Sequence, residues 1–141
     1  MTRVLLAEDN EFSRDMLTRR LQRQGFEVIT AANGREALAA ARHDHPDIIL
    51  MDLDMPVMDG HAATRALKSD PHTFKIPIIV VSAHASPEDV VKALASGCQA
   101  FEAKPVVLRR LLDRIEETLA AGRPTPAPNA PEAPVDPAPA P

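Results

Sequence analysis

The chain has 141 residues, 45% hydrophobic and 26% charged, with a formal net charge of −4. That length suits one compact domain with its own core, and its lone cysteine, Cys98, excludes an internal disulfide framework and a cysteine-based zinc site. The acidic balance, with no tryptophan, no tyrosine and only four phenylalanines, argues against a phosphate-backbone binder and against a stacking platform for single-stranded nucleic acid.

Taken in order, the elements alternate. Arg3–Ala7 reads as a strand, and Glu8, Asp9 and Asn10 cut its apolar run far short of the roughly 18–20 residues of a membrane span. Because the N-terminus also lacks the basic region and long apolar stretch of a secretory signal, a cytoplasmic protein is expected. Glu11–Gln24 carries a helical stripe of Met16, Leu17 and Leu21 and stops at Gly25. Phe26–Thr30 is the second strand, and Asn33 precedes a helix over Gly34–His43. A third strand over Asp47–Met51 leads to a helix over Asp59–Lys68. Pro77–Val81 is the fourth strand, and Ser86-Pro87 forms the cap and first turn of Pro87–Ala95. Gln99–Glu102 and Val106–Ala121 complete the series, the last with a stripe of Leu108, Leu111, Leu112 and Ile115.

The stretches Ile48-Ile49-Leu50-Met51 and Ile78-Ile79-Val80-Val81 are apolar on both faces, so each strand must be covered on both sides. Right-handed crossovers then give an α/β fold, a doubly wound five-stranded parallel sheet between helices. The composition changes at the end, where eight of the fourteen prolines fall within Pro124–Pro141 and Val135 is the only larger apolar residue. The expected organisation is a domain over residues 1–123 followed by a disordered Pro/Ala-rich tail over 124–141.

Chemistry gathers just past the strands. Glu8 and Asp9 follow the first, Asp52 and Ser82 close the third and fourth, and Lys104 lies beyond the fifth. Open parallel sheets bind ligands outside the carboxyl ends of their strands. Three neighbouring carboxylates repel one another, and a bound cation relieves them. Hard oxygen donors without histidine or cysteine point to Mg2+. With Lys104, the formal charges then cancel, which suits a dianionic phosphoryl group attacked by one of the carboxylates.

At this point the chain resembles the receiver domain of bacterial two-component response regulators, over roughly Thr2–Ala121. The motifs VLLAEDN, IILMDLDMPVMDG, IIVVSAHA and GCQAFEAKP carry the resemblance, and the pattern is similar to stand-alone receivers and to receivers of hybrid kinases. The resemblance implies a (βα)5 flavodoxin-like fold of strand order 2-1-3-4-5. It implies that Asp52 takes a phosphoryl group from a histidine kinase or a histidine phosphotransfer protein. Mg2+ would be held by Glu8 through water, by Asp9 and Asp52, and by the backbone carbonyl of Asp54. Ser82 matches the switch hydroxyl, Lys104 the phosphate-pairing lysine, Lys104-Pro105 a cis bond, Phe101 the switch aromatic, and Gly60 the glycine after the phosphorylation loop. A receiver of this kind catalyses its own phosphorylation and slow dephosphorylation and is otherwise no enzyme. Phosphorylation would reshape the face built from the fourth helix, fifth strand and fifth helix, through which it meets a downstream protein rather than nucleic acid or membrane.

Asp54 and His84 occupy positions that tune phosphate lifetime in the family. Whether the acid orients water or adds repulsion stays open, and His84 reads as an exposed loop residue. Phe12, Arg14 and Met16 lie where such receivers dock a helical bundle, Met16 reading equally as core. His43, His45, His61 and His72 show no ligand spacing, and Cys98 reads as a small buried residue. Two rivals remain. Asp52-Leu53-Asp54 resembles the DxD signature of haloacid-dehalogenase-like phosphatases, although that motif belongs on a first strand. The fold also suits a phosphorylation-independent interaction module, against which the intact acids, serine and lysine argue. No output module fits after Ala121, which leaves a stand-alone regulator and a receiver from a longer protein both open.

Overall fold

The structure, a computed structural model, describes residues 1–121; the expected tail over 124–141 lies outside the described residues. Ten elements alternate: β1 (Arg3–Ala7), α1 (Glu11–Arg23), β2 (Glu27–Ala31), α2 (Gly34–Asp44), β3 (Ile48–Asp52), α3 (Gly60–Lys68), β4 (Ile78–Ser82), α4 (Pro87–Ala95), β5 (Ala100–Ala103) and α5 (Leu108–Ala120). The five strands form one parallel sheet in the order β2-β1-β3-β4-β5, as expected.

Pairing, not apolarity, sets the strand limits, and β2 to β5 each lie one residue later than their apolar runs suggest. Phe26 gives its N–H to Leu21 and so closes α1 instead of opening β2. Pro77 has no N–H to donate, and only its carbonyl takes part, accepting from Ile49 at 2.9 Å. Asp52 and Ser82, although polar, are in register with Val81 and Ala103 and are the last strand residues.

Side chains alternate across the sheet and feed two cores. Leu5, Ala7, Ile49, Met51, Ile78 and Val80 face α2, α3 and α4. Val4, Leu6, Ile48, Leu50, Ile79 and Val81 face Leu21 of α1 and Leu111 and Ile115 of α5. Ile48 to Met51 are fully buried, each contributing roughly 1.5–3 kcal/mol, so the central strand is clamped with its C-terminal end at the rim.

Caps fix where most helices start. The side chains of Asn10, Asn33, Asp59 and Ser86 accept from the N–H of Ser13, Glu36, Ala62 and Asp89, and Ser86 and Asp89 complete a reciprocal capping box. Asp59 is therefore a cap and not the first helical residue. Only α5 lacks a side-chain cap: Val106 packs into the α1–α5 core and helix begins at Leu108. The Lys104-Pro105 bond is cis, as the resemblance implies.

Candidate functional site

The polar residues of the site stand where the central strands run out. After Ala7 the chain turns, with the Glu8 N–H held by the Ala31 carbonyl at 3.0 Å. Asp52 follows Leu50 on the α1–α5 side of the sheet by the two-residue alternation. Past β5, the Lys104 N–H donates to the Ser82 carbonyl at 2.8 Å, which brings the lysine back over β4.

These turns bring Glu8, Asp9, Asp52 and Lys104 together. The three acids offer carboxylate oxygens that all lie within 4.8 Å of one another. Glu8 and Asp52 are buried and Asp9 is exposed. Lys104 Nζ donates to Glu8 Oε1 at 2.8 Å and to Asp52 Oδ2 at 3.3 Å. Burial, reinforced by the hydrogen bond and charge of Asp52, pushes the Glu8 carboxyl up to about 7 against the pull of Lys104. Burial alone would lower the Lys104 ammonium, but its hydrogen bond to Glu8 and the charges of Asp52 and Glu8 outweigh it and raise it. One ammonium does not neutralise three carboxylates, and the donor set is all hard oxygen. It fits a hard divalent cation.

The other expected residues occupy the rim in different ways. Ser82 is fully buried and its Oγ accepts from the His84 N–H at 3.0 Å. It sits one residue past Val81, the register partner of Asp52. Asp54 donates its N–H to Asp52 Oδ1 at 3.2 Å, and its carboxylate reaches across to His84 Nε2 at 3.3 Å. His84 is exposed, as expected, but it is paired. Phe101, in register with Val80, is half-buried against the core on the α4 side. Gly60 lies so close under the end of β3 that a Cβ there would stand 2.3 Å from the Asp52 carbonyl oxygen and 2.6 Å from Leu53 Cα.

Several residues gain roles that their sequence positions do not announce. Arg14, expected on a docking face, is half-buried and turns back to the carbonyls of Glu8 and Asp9. A run of residues on α1 leaves Phe12 and Met16 exposed, and Met16 also lines a cavity of about 380 Å³ with Leu6, Leu17, Arg20, Lys104 and Val106. Glu102, buried in β5, takes Arg110 and Arg114 of α5 at 3.6 and 3.4 Å. Lys68 is fully buried at the end of α3. Among the described residues no helix is long and apolar enough to cross a membrane.

A doubly wound sheet of this strand order, with clustered acids and a lysine at its carboxyl rim, defines a signal-receiver protein. Residues 4–116 match the response regulator receiver domain model, and the chain belongs to that family of two-component signalling modules. It is 36% identical over 116 residues to the polar-differentiation response regulator DivK of Brucella ovis, covering 82% of this chain and 94% of that protein. Among solved structures it is similar to the chemotaxis protein CheY4 of Vibrio cholerae, at 35% identity, with a TM-score of 0.79, over 84% of this chain and 98% of that one. The receiver domain of a sensor histidine kinase from Pseudomonas aeruginosa matches at 30% identity, with a TM-score of 0.79 and the same 84% and 98% coverage; that structure has a magnesium ion coordinated in its active site cleft.

Proposed function

We propose that Asp52 is the phosphoryl acceptor of a two-component or phosphorelay pathway and that the donor is a phosphohistidine on a histidine kinase or phosphotransfer protein. One observation carries this reading: a buried strand-end carboxylate clustered with two more and held by a lysine ammonium at 3.3 Å. In the transfer, an Asp52 carboxylate oxygen forms a bond to phosphorus while the P–N bond of the phosphohistidine breaks, and its electron pair returns to the leaving imidazole. The Asp54 N–H and Lys104 already point at the two Asp52 oxygens, so the carboxylate is oriented before the donor arrives. Lys104 then pairs with phosphoryl oxygens, where its charge counts most.

Mg2+ held by Glu8, Asp9, Asp52 and the Asp54 carbonyl would neutralise charge on the phosphoryl oxygens. The chain's own acids supply the reason such an ion binds: the Glu8 carboxyl, raised by burial and by Asp52, is more readily ionised beside a cation. As the output step, Ser82 turns its hydroxyl from the His84 amide towards the new phosphoryl group, and half-buried Phe101 follows it inward. The changed face is α4, β5 and α5, where Val91, Leu94 and Val107 are exposed. Exposed Phe12 and Met16 on α1, with Arg20 and Arg23 beside them, form the surface on which a donor's helical bundle docks. The place of action is the cytoplasm, and the chain catalyses its own phosphorylation and slow dephosphorylation but turns over no separate substrate.

The test is incubation of the full chain with acetyl phosphate, with and without Mg2+, followed by intact-mass and peptide mass spectrometry. One added phosphate on Asp52, dependent on Mg2+ and absent from Asp52→Asn, is the expected result. Phosphate retained by Asp52→Asn refutes the acceptor assignment, and steady turnover of phosphate esters would favour the phosphatase reading instead.

A further inference from the structure

Arg14, the fourth residue of α1, does not face solvent with its neighbours. Its Nη1 donates to the peptide carbonyl of Glu8 at 2.9 Å and to that of Asp9 at 3.3 Å. The same first turn of helix holds the loop from the other side. The Arg14 N–H donates to the Asn10 carbonyl at 2.9 Å, the Ser13 N–H to Asn10 Oδ1 at 2.8 Å, and the Asn10 N–H to Glu8 Oε2 at 3.3 Å. Two successive peptide planes are thus tied to one guanidinium, and those planes set where the Cα–Cβ bonds of Glu8 and Asp9 point.

Two opposite effects follow from one side chain. As a charge, Arg14 opposes a cation bound at the three carboxylates, so removing it should tighten binding. As a strap, it keeps two carboxylates converging, so removing it should let the loop relax and weaken binding. Partners that orient ligands from behind are typically worth 10–100-fold in metal affinity. The guanidinium is partly exposed and its charge is screened by solvent, while its hydrogen bonds to the Glu8 and Asp9 carbonyls, at 2.9 and 3.3 Å, act directly on the loop backbone. The strap outweighs the charge.

We propose that Arg14 is a positioning residue for the acidic site: it sets the divalent-cation affinity of Glu8, Asp9 and Asp52 by holding the peptide carbonyls of the β1–α1 loop. This rests on the Mg2+-dependent reading of the site given above. The experiment compares Arg14→Gln, Arg14→Lys and Arg19→Gln with the wild type, all as full chains, by calorimetric titration with Mg2+. Arg19 removes the same charge from the same helix, but its partner is Asp15, at 3.5 Å on the exposed side.

Arg14→Gln should weaken Mg2+ binding about 10-fold. Arg14→Lys should weaken it less, because an ammonium keeps a charged donor near the loop while losing the rigid guanidinium plane that aims Nη1 at both carbonyls. Arg19→Gln should bind as the wild type does or slightly tighter. In acetyl phosphate reactions the Mg2+ concentration giving half-maximal rate should rise in step for Arg14→Gln, while the rate at saturating Mg2+ stays within about twofold. Melting in EDTA establishes that each variant is folded, and Arg14→Lys carries the test if Arg14→Gln is not. Equal or tighter binding by the Arg14 variants overturns the proposal, as does equal weakening in Arg19→Gln. A wild type that takes up no Mg2+ overturns the reading of the site itself and the strap with it.

Discussion

Lys68 offers the sharpest test of the electrostatic argument, because burial and pH act on it with a calculable size. It is fully buried, with Nζ donating to the Phe74 carbonyl at 3.0 Å and the Ile76 carbonyl at 2.7 Å. Gly97, at φ +108°, rides on its stem, so that a Cβ there would stand 2.8 Å from Lys68 Cγ. Burial lowers its ammonium from 10.5 to about 7, and the neighbouring Cys98 opposes that shift only as thiolate, a form disfavoured because burial pushes its thiol up to about 11. By linkage, a fall of that size corresponds to about 5 kcal/mol, an upper bound because the two carbonyls favour the charged form. Below pH 7 both the folded and unfolded states hold the proton, so the cost is constant. Between about 7 and 10.5 only the unfolded state holds it, so stability rises with pH across that window.

Lys68→Met removes the buried charge and both hydrogen bonds. Near pH 6.5 the relief offsets a loss of about 2–4 kcal/mol from the orphaned carbonyls, and the variant should be close to the wild type. At pH 9.5 the wild type should lead by about 3 kcal/mol. Urea unfolding followed by circular dichroism at several pH values measures this, and the absence of tyrosine keeps phenol titration out of the window. Parallel pH profiles for the two proteins would refute the reasoning.

Three further outcomes are expected. Gly60→Ala should lose about 2 kcal/mol or more, because its Cβ would meet the Asp52 and Leu53 backbone at 2.3 and 2.6 Å; thermal melting reads the loss and Asp52 phosphorylation should fall with it. Val57→Gly should gain about 0.5–1 kcal/mol, since Val57 is held at φ 69° in the exposed loop after Asp52 and the strain released exceeds the added chain entropy; a melting temperature at or below that of the wild type contradicts this. Lys104→Met should cost about 2–3 kcal/mol in EDTA at pH 8, less than for a fully buried pair because the lysine is 28% exposed, and Mg2+ should restore stability while phosphorylation stays slow.

The sheet was legible because its two central strands, Ile48–Met51 and Ile78–Val81, are apolar on both faces and only a covered parallel sheet accommodates them. Their limits were not, since polar Asp52 and Ser82 join the sheet by pairing with Val81 and Ala103. The acids and Lys104 were legible from position alone, each standing where a strand ends. What stayed hidden depends on how segments turn back or pack. Arg14 reaches the Glu8 carbonyl only because the loop folds onto the first turn of α1. Glu102 meets Arg110 and Arg114 only once α5 lies against β5, and His84 meets Asp54 only across two loops.

Lys68 and Lys104 make the same point about function. Each follows or ends a regular element and each donates to two acceptors, yet their ammonium groups shift in opposite directions. Lys104 faces carboxylates, and their charges more than repay its burial. Lys68 faces carbonyl dipoles, which do not. Lys104 is therefore a cation at any physiological pH, and on the proposed function it exchanges a carboxylate oxygen for a phosphoryl oxygen at little cost, both being anionic. Lys68 is fully buried and donates only to the Phe74 and Ile76 carbonyls, so its bonds pin the α3–β4 connection beneath Gly97. The acceptors a lysine meets, more than its depth, decide which of the two suits the proposed phosphoryl transfer.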